Sequence, residues 1–200
     1  MEQSIPVSQI IQPPRVGASF GVRVGAQIID LIVHNVFSLV VGLVIGILIG
    51  LYAFATGTSS STLTAELQRS TPISYILALT GYAVYHTICE GMHGATLGKL
   101  IFKIHVLNED GSSASMGSAF IRSLAFYIDG LLFGIVAAAS MRSSELQQRL
   151  GDKWAKTVVV ERSALNQYSW PSGWKFIIAF LIAILADGLI MAFALLIKLL

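Results

Sequence analysis

Residues 23–54 read RVGAQIIDLIVHNVFSLVVGLVIGILIGLYAF, and this stretch decides the architecture. Apart from Arg23, Asp30 and His34 it holds no charged or imidazole side chain. About 20 apolar residues in a helix cross the hydrocarbon core of a bilayer. This run exceeds that length, so the helix it forms has residues left to tilt or to extend past the membrane. Residues 1–23 are polar and include Pro13-Pro14. The apolar run also outlasts the roughly 7–15 residues of a signal-peptide core. Ala53-Phe54-Ala55 mimics a cleavage site, but an uncleaved anchor helix is expected.

Working outward, three further apolar segments follow, near residues 73–89, 119–139 and 176–199. Charged residues make up 12% of the chain, against about 25% in a typical soluble domain. Mean hydropathy is +0.73. The expected fold is therefore an all-α membrane protein, a small multi-pass helical bundle of three to four membrane segments, with the lipid bilayer as its main partner. The net charge of +2 and the lack of a basic run argue against nucleic acid. A single cysteine, Cys89, excludes an intramolecular disulfide, and its apolar neighbours suit an inert thiol.

Between the second and third segments the period changes. In KLIFKIHVL (99–107), Leu100, Phe102, Ile104 and Val106 alternate with Lys99, Lys103 and His105, which is a strand pattern. Asn108-Glu109-Asp110-Gly111 makes a turn, and Thr157-Val158-Val159-Val160 reads as a second strand. The two strands can pair only if they lie on one side of the membrane. Basic residues in short loops favour the cytoplasm. If residues 119–140 dip in and return, eleven basic residues share that side (Arg15, Arg23, Lys99, Lys103, Arg122, Arg142, Arg149, Lys153, Lys156, Arg162, Lys175) and only Arg69 and Lys198 lie opposite. Gly130 and Gly134 offer places to bend. Three full spans, one re-entrant or interfacial segment, a cytoplasmic N-terminus and a short cytoplasmic β-element are expected.

On the first helix Arg23, Gln27, Asp30 and His34 fall within an arc of roughly 60°. Lipid cannot satisfy such a stripe, so it must face protein or water. A carboxylate near the membrane centre costs about 2.5–3.5 kcal/mol on insertion scales. The third segment repeats the arrangement: VRVGAQIIDLIV (22–33) aligns with IRSLAFYIDGLL (121–132), matching Arg23 to Arg122 and Asp30 to Asp129. Crossed pairs, Arg23 with Asp129 and Arg122 with Asp30, would keep both carboxylates charged. Such a set serves either an ion or proton relay or a structural lock between helices.

The second segment ends with Tyr82, His86, Glu90 and His93 on one side. His86, Glu90 and His93 lack the firmer motif of a metal site, so Glu90 reads as a cap, counter-ion or relay member and no cofactor is expected. GATLGK (94–99) is one residue short of a phosphate-binding loop and lacks the following Ser or Thr, so it reads as a turn. Gly42, Gly46 and Gly50 suit close helix packing, within the bundle or in a homo-oligomer. Asp187 is a further buried carboxylate whose nearest basic residue in sequence is Lys198, eleven positions away. No nucleophile–base motif marks an enzyme.

Gly21-Val22-Arg23 through Asp30, GATLGKLIFKIHVLNEDG (94–111), Arg122 through Asp129 and QRLGDKWAKTVVV (148–160), in this order, resemble the RDD family of membrane proteins. The resemblance covers about residues 17–160. It implies that Arg23 and Asp30 are the family's arginine and first aspartate, and that Asp129 or Asp152 is the second. It implies a mostly bacterial multi-pass protein of the cell membrane, for which cation/proton exchange is the most concrete suggestion. The expected organisation is a polar tail (1–16), an RDD-like membrane domain (17–162), and a linker with an additional transmembrane helix (163–200). The leading expectation is a small ion transporter using Arg23, Asp30, His34, Arg122 and Asp129, with His86, Glu90, Asp152 and Asp187 secondary and a small cation or proton as ligand. The alternative is a non-transporting scaffold or accessory subunit. Cysteines introduced at Ser112 and Ser143 should be labelled by a membrane-impermeant thiol reagent from the same face; labelling from opposite faces would rule out the re-entrant arrangement.

Overall fold

A computed structural model describes residues 17–57, 72–164 and 172–199. Helix α1 (Phe20–Thr56) is 37 residues long and ends where Gly57 takes a left-handed conformation. At 1.5 Å per residue it runs for about 55 Å, well beyond a bilayer core. Its polar residues turn inward: Arg23 and Asp30 are buried, while Ile28, Leu31, Ile32, Leu39 and Leu43 face out. This reverses the soluble pattern, as the bilayer demands.

Helix α2 (Pro72–His93) opens on proline, whose missing N–H costs nothing in a first turn. Gly94, with φ of +80°, then turns the chain into a single helical turn, α3 (Leu97–Ile101). Here the structure departs from the strand expected to begin at Lys99. The alternation from Lys99 to Phe102 is overridden by capping: Thr96 accepts from the Lys99 N–H, and Asp30 accepts from the Gly98 N–H at 2.8 Å. Strand β1 (Ile104–Asn108) starts only after Lys103, at φ 54°.

Helices α4 (Met116–Asp129) and α5 (Leu131–Arg142) follow. Met116–Asp129 and Gly134–Arg142 are bent by 112° to one another, and Gly134 has φ of +84°. The bend falls at the glycines that the sequence offers for it. A second single turn, α6 (Leu150–Trp154), leads through Lys156 (φ 51°) into β2 (Thr157–Glu161). Last comes α7 (Gly173–Leu199), which packs mainly along α2. Among the described residues two helices, α1 and Gly173–Phe193 of α7, are long and apolar enough to cross a membrane, and the bent α4–α5 pair would be a third. Helix α2 turns Tyr82, His86 and Glu90 inward, and among the described residues it is not one of the helices that meet the same apolar requirement, so the span expected near residues 73–89 is not among those found.

The strands pair, as expected, and do so antiparallel; their register exposes a second repeat beside the helical one seen in the sequence. LGKLIFKIHVL (97–107) and LGDKWAKTVVV (150–160) are offset by 53 positions and share Leu, Gly, Lys and Val at equivalent places. The shared lysines, Lys103 and Lys156, hold the same positive φ. The shared valines, Val106 and Val159, are direct partners in the ladder, with Ile104 opposite Glu161 and Asn108 opposite Thr157. The register is thus symmetric about Val106–Val159. The two units, α1–α3–β1 and α4–α6–β2, each combine a long helix, a single-turn helix and a strand in the same order.

Each short helix packs on the long helix of its own unit through a glycine. A Cβ on Gly98 would collide with the Ala26 carbonyl oxygen and lie 2.9 Å from the Asp30 carboxyl carbon. A Cβ on Gly151 would lie 2.9 Å from that of Ala125, the equivalent of Ala26. Gly98→Ala should therefore destabilise the protein by about 1–3 kcal/mol, the usual range for overpacking. Gly42→Ala, with nothing within 4 Å of the added group, should leave the melting temperature unchanged. Thermal unfolding of both variants in one detergent checks the contrast.

Candidate functional site

The centre of the site is Asp152, fully buried at the start of α6. Its carboxylate binds Nη1 of Arg23 from α1 and Nη1 of Arg122 from α4, one oxygen to each. It also accepts from the Arg149 N–H at 3.0 Å, closing a capping box. Burial alone would raise this carboxyl. Arg122, Arg23 and Arg149 outweigh burial and hold it below the usual carboxylate range. Arg23 is fixed further by the carbonyls of Ala18 and Gln147, both at 2.9 Å.

Glu90 of α2 is a second junction. Its Oε2 accepts from Arg122 Nε at 2.9 Å, and its Oε1 from Lys99 Nζ at 2.6 Å. His86 Nδ1 lies 3.2 Å from the same Oε1. Arg122 therefore links Glu90 to Asp152 and adds a bond to Thr157 Oγ1 at 2.9 Å. All of these side chains are buried, so each charge depends on the others for the solvation it has lost.

The two repeated aspartates have a different task. Asp30 is fully buried and accepts three hydrogen bonds, from Tyr85 Oη (2.9 Å), Thr96 Oγ1 (2.6 Å) and the Gly98 N–H (2.8 Å). Asp129 accepts from the N–H groups of Leu150 (3.1 Å) and Gly151 (3.3 Å). Each carboxylate thus holds the N-terminus of the short helix in its own unit, where free N–H groups and the helix dipole favour an anion. Gly98 and Gly151 are the equivalent positions of the 53-residue repeat, so the same bond occurs twice.

These partners correct the crossed pairs. Arg23 meets Asp152 instead of Asp129, and Arg122 meets Asp152 and Glu90 instead of Asp30. The short helices supply N–H donors to both aspartates; Asp30 has no arginine among its partners, while Asp129 also has Arg149 Nε at 3.9 Å. The equivalent positions Lys99 and Asp152 carry opposite charge, so one unit offers a cation to Glu90 while the other offers an anion to the arginines. Lys99 and Arg149 were legible only as loop charges. The repeated Leu-Gly followed by Lys or Asp, placed before each strand, is the signal that could have found them.

Further along α1 the polar stripe continues. Gln27 donates to the Tyr82 hydroxyl, and its amide lies 3.3 Å from His86 Nε2. His34 Nδ1 lies 3.4 Å from Asp187 Oδ2, which gives Asp187 a partner that is far from it in sequence. His93 sits edge-on to His105 and Phe176, with centroids 5.8 and 5.4 Å apart. Burial, reinforced by His93, pushes the His105 imidazole down to about 3, so it stays neutral. No three metal-ligating side chains converge among the described residues. Gln27 borders two cavities. One, of about 100 Å³, is also lined by Arg23, Phe126, Asp129 and Arg149; the other, of about 10 Å³, adjoins His86, Glu90 and Arg122 and has room for about one water.

Long outward-facing apolar helices around a buried charge network define a membrane protein. The family model described as "RDD family" matches residues 17–156, and the chain belongs to that family. No curated protein and no solved structure matches it. The match takes in Arg23, Asp30, Glu90, Lys99, Arg122, Asp129 and Asp152, and ends before α7 with Asp187.

Asp152→Asn leaves Arg23 and Arg122 buried without their shared anion, a change that costs about 3–5 kcal/mol. Because the folded value lies below the unfolded one near 3.8, this stability is complete above pH 4 and is lost as pH falls through the folded value. Asp152→Asn should therefore melt well below the wild type at neutral pH, and the gap should narrow on acidification below about pH 4. Melting curves over that pH range test the sign as well as the size.

Proposed function

We propose that this is a multi-pass protein of the cell membrane that exchanges a small cation for protons. The supporting observation is the inward stripe of α1. Arg23, Gln27 and His34 each meet a polar or ionisable partner from another element, inside helices whose outer faces are apolar. Polar groups on membrane helices are costly and mark ion or proton pathways by default. Gln27 is the pivotal side chain in this reading, because it borders both cavities and touches Tyr82 and His86. Asp30 and Asp129 serve the path indirectly, by holding α3 and α6 against it. The α4–α5 pair then forms a re-entrant segment, and the end of α1 bearing Arg23 faces the cytoplasm with the strands.

A second reading, a non-transporting accessory subunit, is favoured by one specific observation. Every oxygen of Asp30, Glu90, Asp129 and Asp152 has a hydrogen-bonding partner, as in a lock. Reconstituted vesicles with a sodium or potassium gradient and an internal pH dye separate the two. Exchange predicts a cation-driven pH change that Gln27→Leu lowers at least tenfold while the protein still melts cooperatively. No pH change above that of protein-free vesicles would overturn the exchanger and leave the subunit reading.

A further inference from the structure

We propose that His34 and Asp187 form a proton-binding site within the membrane, completed by the C-terminal helix that lies beyond the family match. The proposal deepens the exchange reading, on which it rests for its purpose, by naming the proton's place on the path.

His34 lies eleven residues past Arg23 on α1, so about 16 Å further along the axis. It sits beyond Arg23 and Asp30 along α1, on a stretch whose outer face is Leu31, Ile32 and Val36. Asp187 is fourteen residues into α7, and its side chain is only 5% exposed. The two approach to 3.4 Å through Nδ1 and Oδ2. From α2 the edge of the Tyr82 ring meets His34 with centroids 5.2 Å apart, and Gly81 leaves the space for the carboxylate. A Cβ on Gly81 would collide with Asp187 Oδ1 and stand 3.8 Å from His34 Cε1. From α4 comes Phe126, packed on Tyr82 with centroids 5.9 Å apart. Among the described residues neither lysine nor arginine forms an ion pair with Asp187.

This surrounding distinguishes Asp187 from the other buried carboxylates. Asp30 is satisfied by N–H and O–H donors, Asp129 by N–H donors with Arg149 beside it, and Asp152 and Glu90 by permanent cations. The charged partner of Asp187 exists only when the imidazole holds a proton. Without that proton the pair carries one negative charge in an apolar setting; with it, the pair is neutral overall. One proton binds and no covalent bond changes. The same solvation penalty that makes a bare intramembrane carboxylate costly becomes affinity for the proton. From Tyr82, the contacts through Gln27 and His86 reach Glu90 and the network at the other end of the helices.

The test uses the full chain, labelled with ¹⁵N-histidine, in lipid nanodiscs. Ring-nitrogen shifts of His34, assigned by its absence in His34→Gln, are followed against pH in the wild type and in Asp187→Asn. Loss of the carboxylate should weaken proton binding at His34 at least about tenfold, one pH unit. Asp187→Glu, which keeps a carboxylate, should bind the proton more tightly than Asp187→Asn. Should Asp187→Asn fail to fold, Gly81→Ala, whose methyl would take the place of the carboxylate oxygen, should weaken binding in the same direction. Equal proton affinity in wild type and variants overturns the site. In the vesicle assay, Asp187→Asn should also lower the cation-driven pH change at least tenfold. A shifted affinity with unchanged flux would overturn the coupling to transport, and absence of flux in the wild type would overturn the exchange reading, leaving the proton site to stand on its titration.

Discussion

The structure depends on one carboxylate held between two arginines. Asp152 receives Arg23 from α1 and Arg122 from α4, the equivalent positions of two similar units. Two buried guanidiniums brought to one point would repel. A single anion between them resolves that repulsion, and it comes from a position where the two units differ. The 53-residue repeat supplies it, with Asp152 where the other unit has Lys99. The lysine in turn is neutralised by Glu90, which also takes the second face of Arg122. The near-symmetric backbone therefore carries an asymmetric charge pattern because electrostatics forbids a symmetric one. Breaking a buried pair costs more than the pair contributes, so none of these residues can be lost singly without exposing its partner's desolvation.

The aspartates of the long helices solve a separate problem. A chain that leaves a membrane helix and turns back must satisfy the free N–H groups of its next helical turn without bulk water. Asp30 and Asp129 do so from within the helix just packed against, and glycine at 98 and 151 lets the backbone come close enough. The short helix, the positive φ at lysine and the strand follow in both units. The pair of strands then closes the two units on each other at Val106–Val159.

Much of this was legible in residues 23–54 and their echo at 121–132. The inward polar stripe, the apolar first and last helices, the pairing of the two strands and the bend near Gly130 and Gly134 all follow from period, composition and charge. The strand expected from Lys99 was not found, because alternation over four residues cannot reveal a carboxylate waiting 69 positions earlier on another helix. The arginine partners were misjudged for a related reason. Helical spacing reports which residues share a face, whereas the identity of the facing element depends on tertiary packing. Asp152 was a secondary candidate, yet three elements converge on it.

The same logic separates the roles of the buried charges. Where every oxygen is occupied by a fixed donor, as at Asp30 or Asp152, a moving ion would have to displace a bond whose loss strands another buried group. Such positions hold the fold. A site that exchanges an ion needs a partner whose charge can come and go at low cost to the surrounding bonds. His34 and Asp187 meet that condition, because their contact joins a neutral-capable ring to a carboxylate without a permanent cation beside it. The spacing of arginine and aspartate thus builds the frame, and the proposed proton site lies further along the same stripe of α1, where His34 meets Asp187.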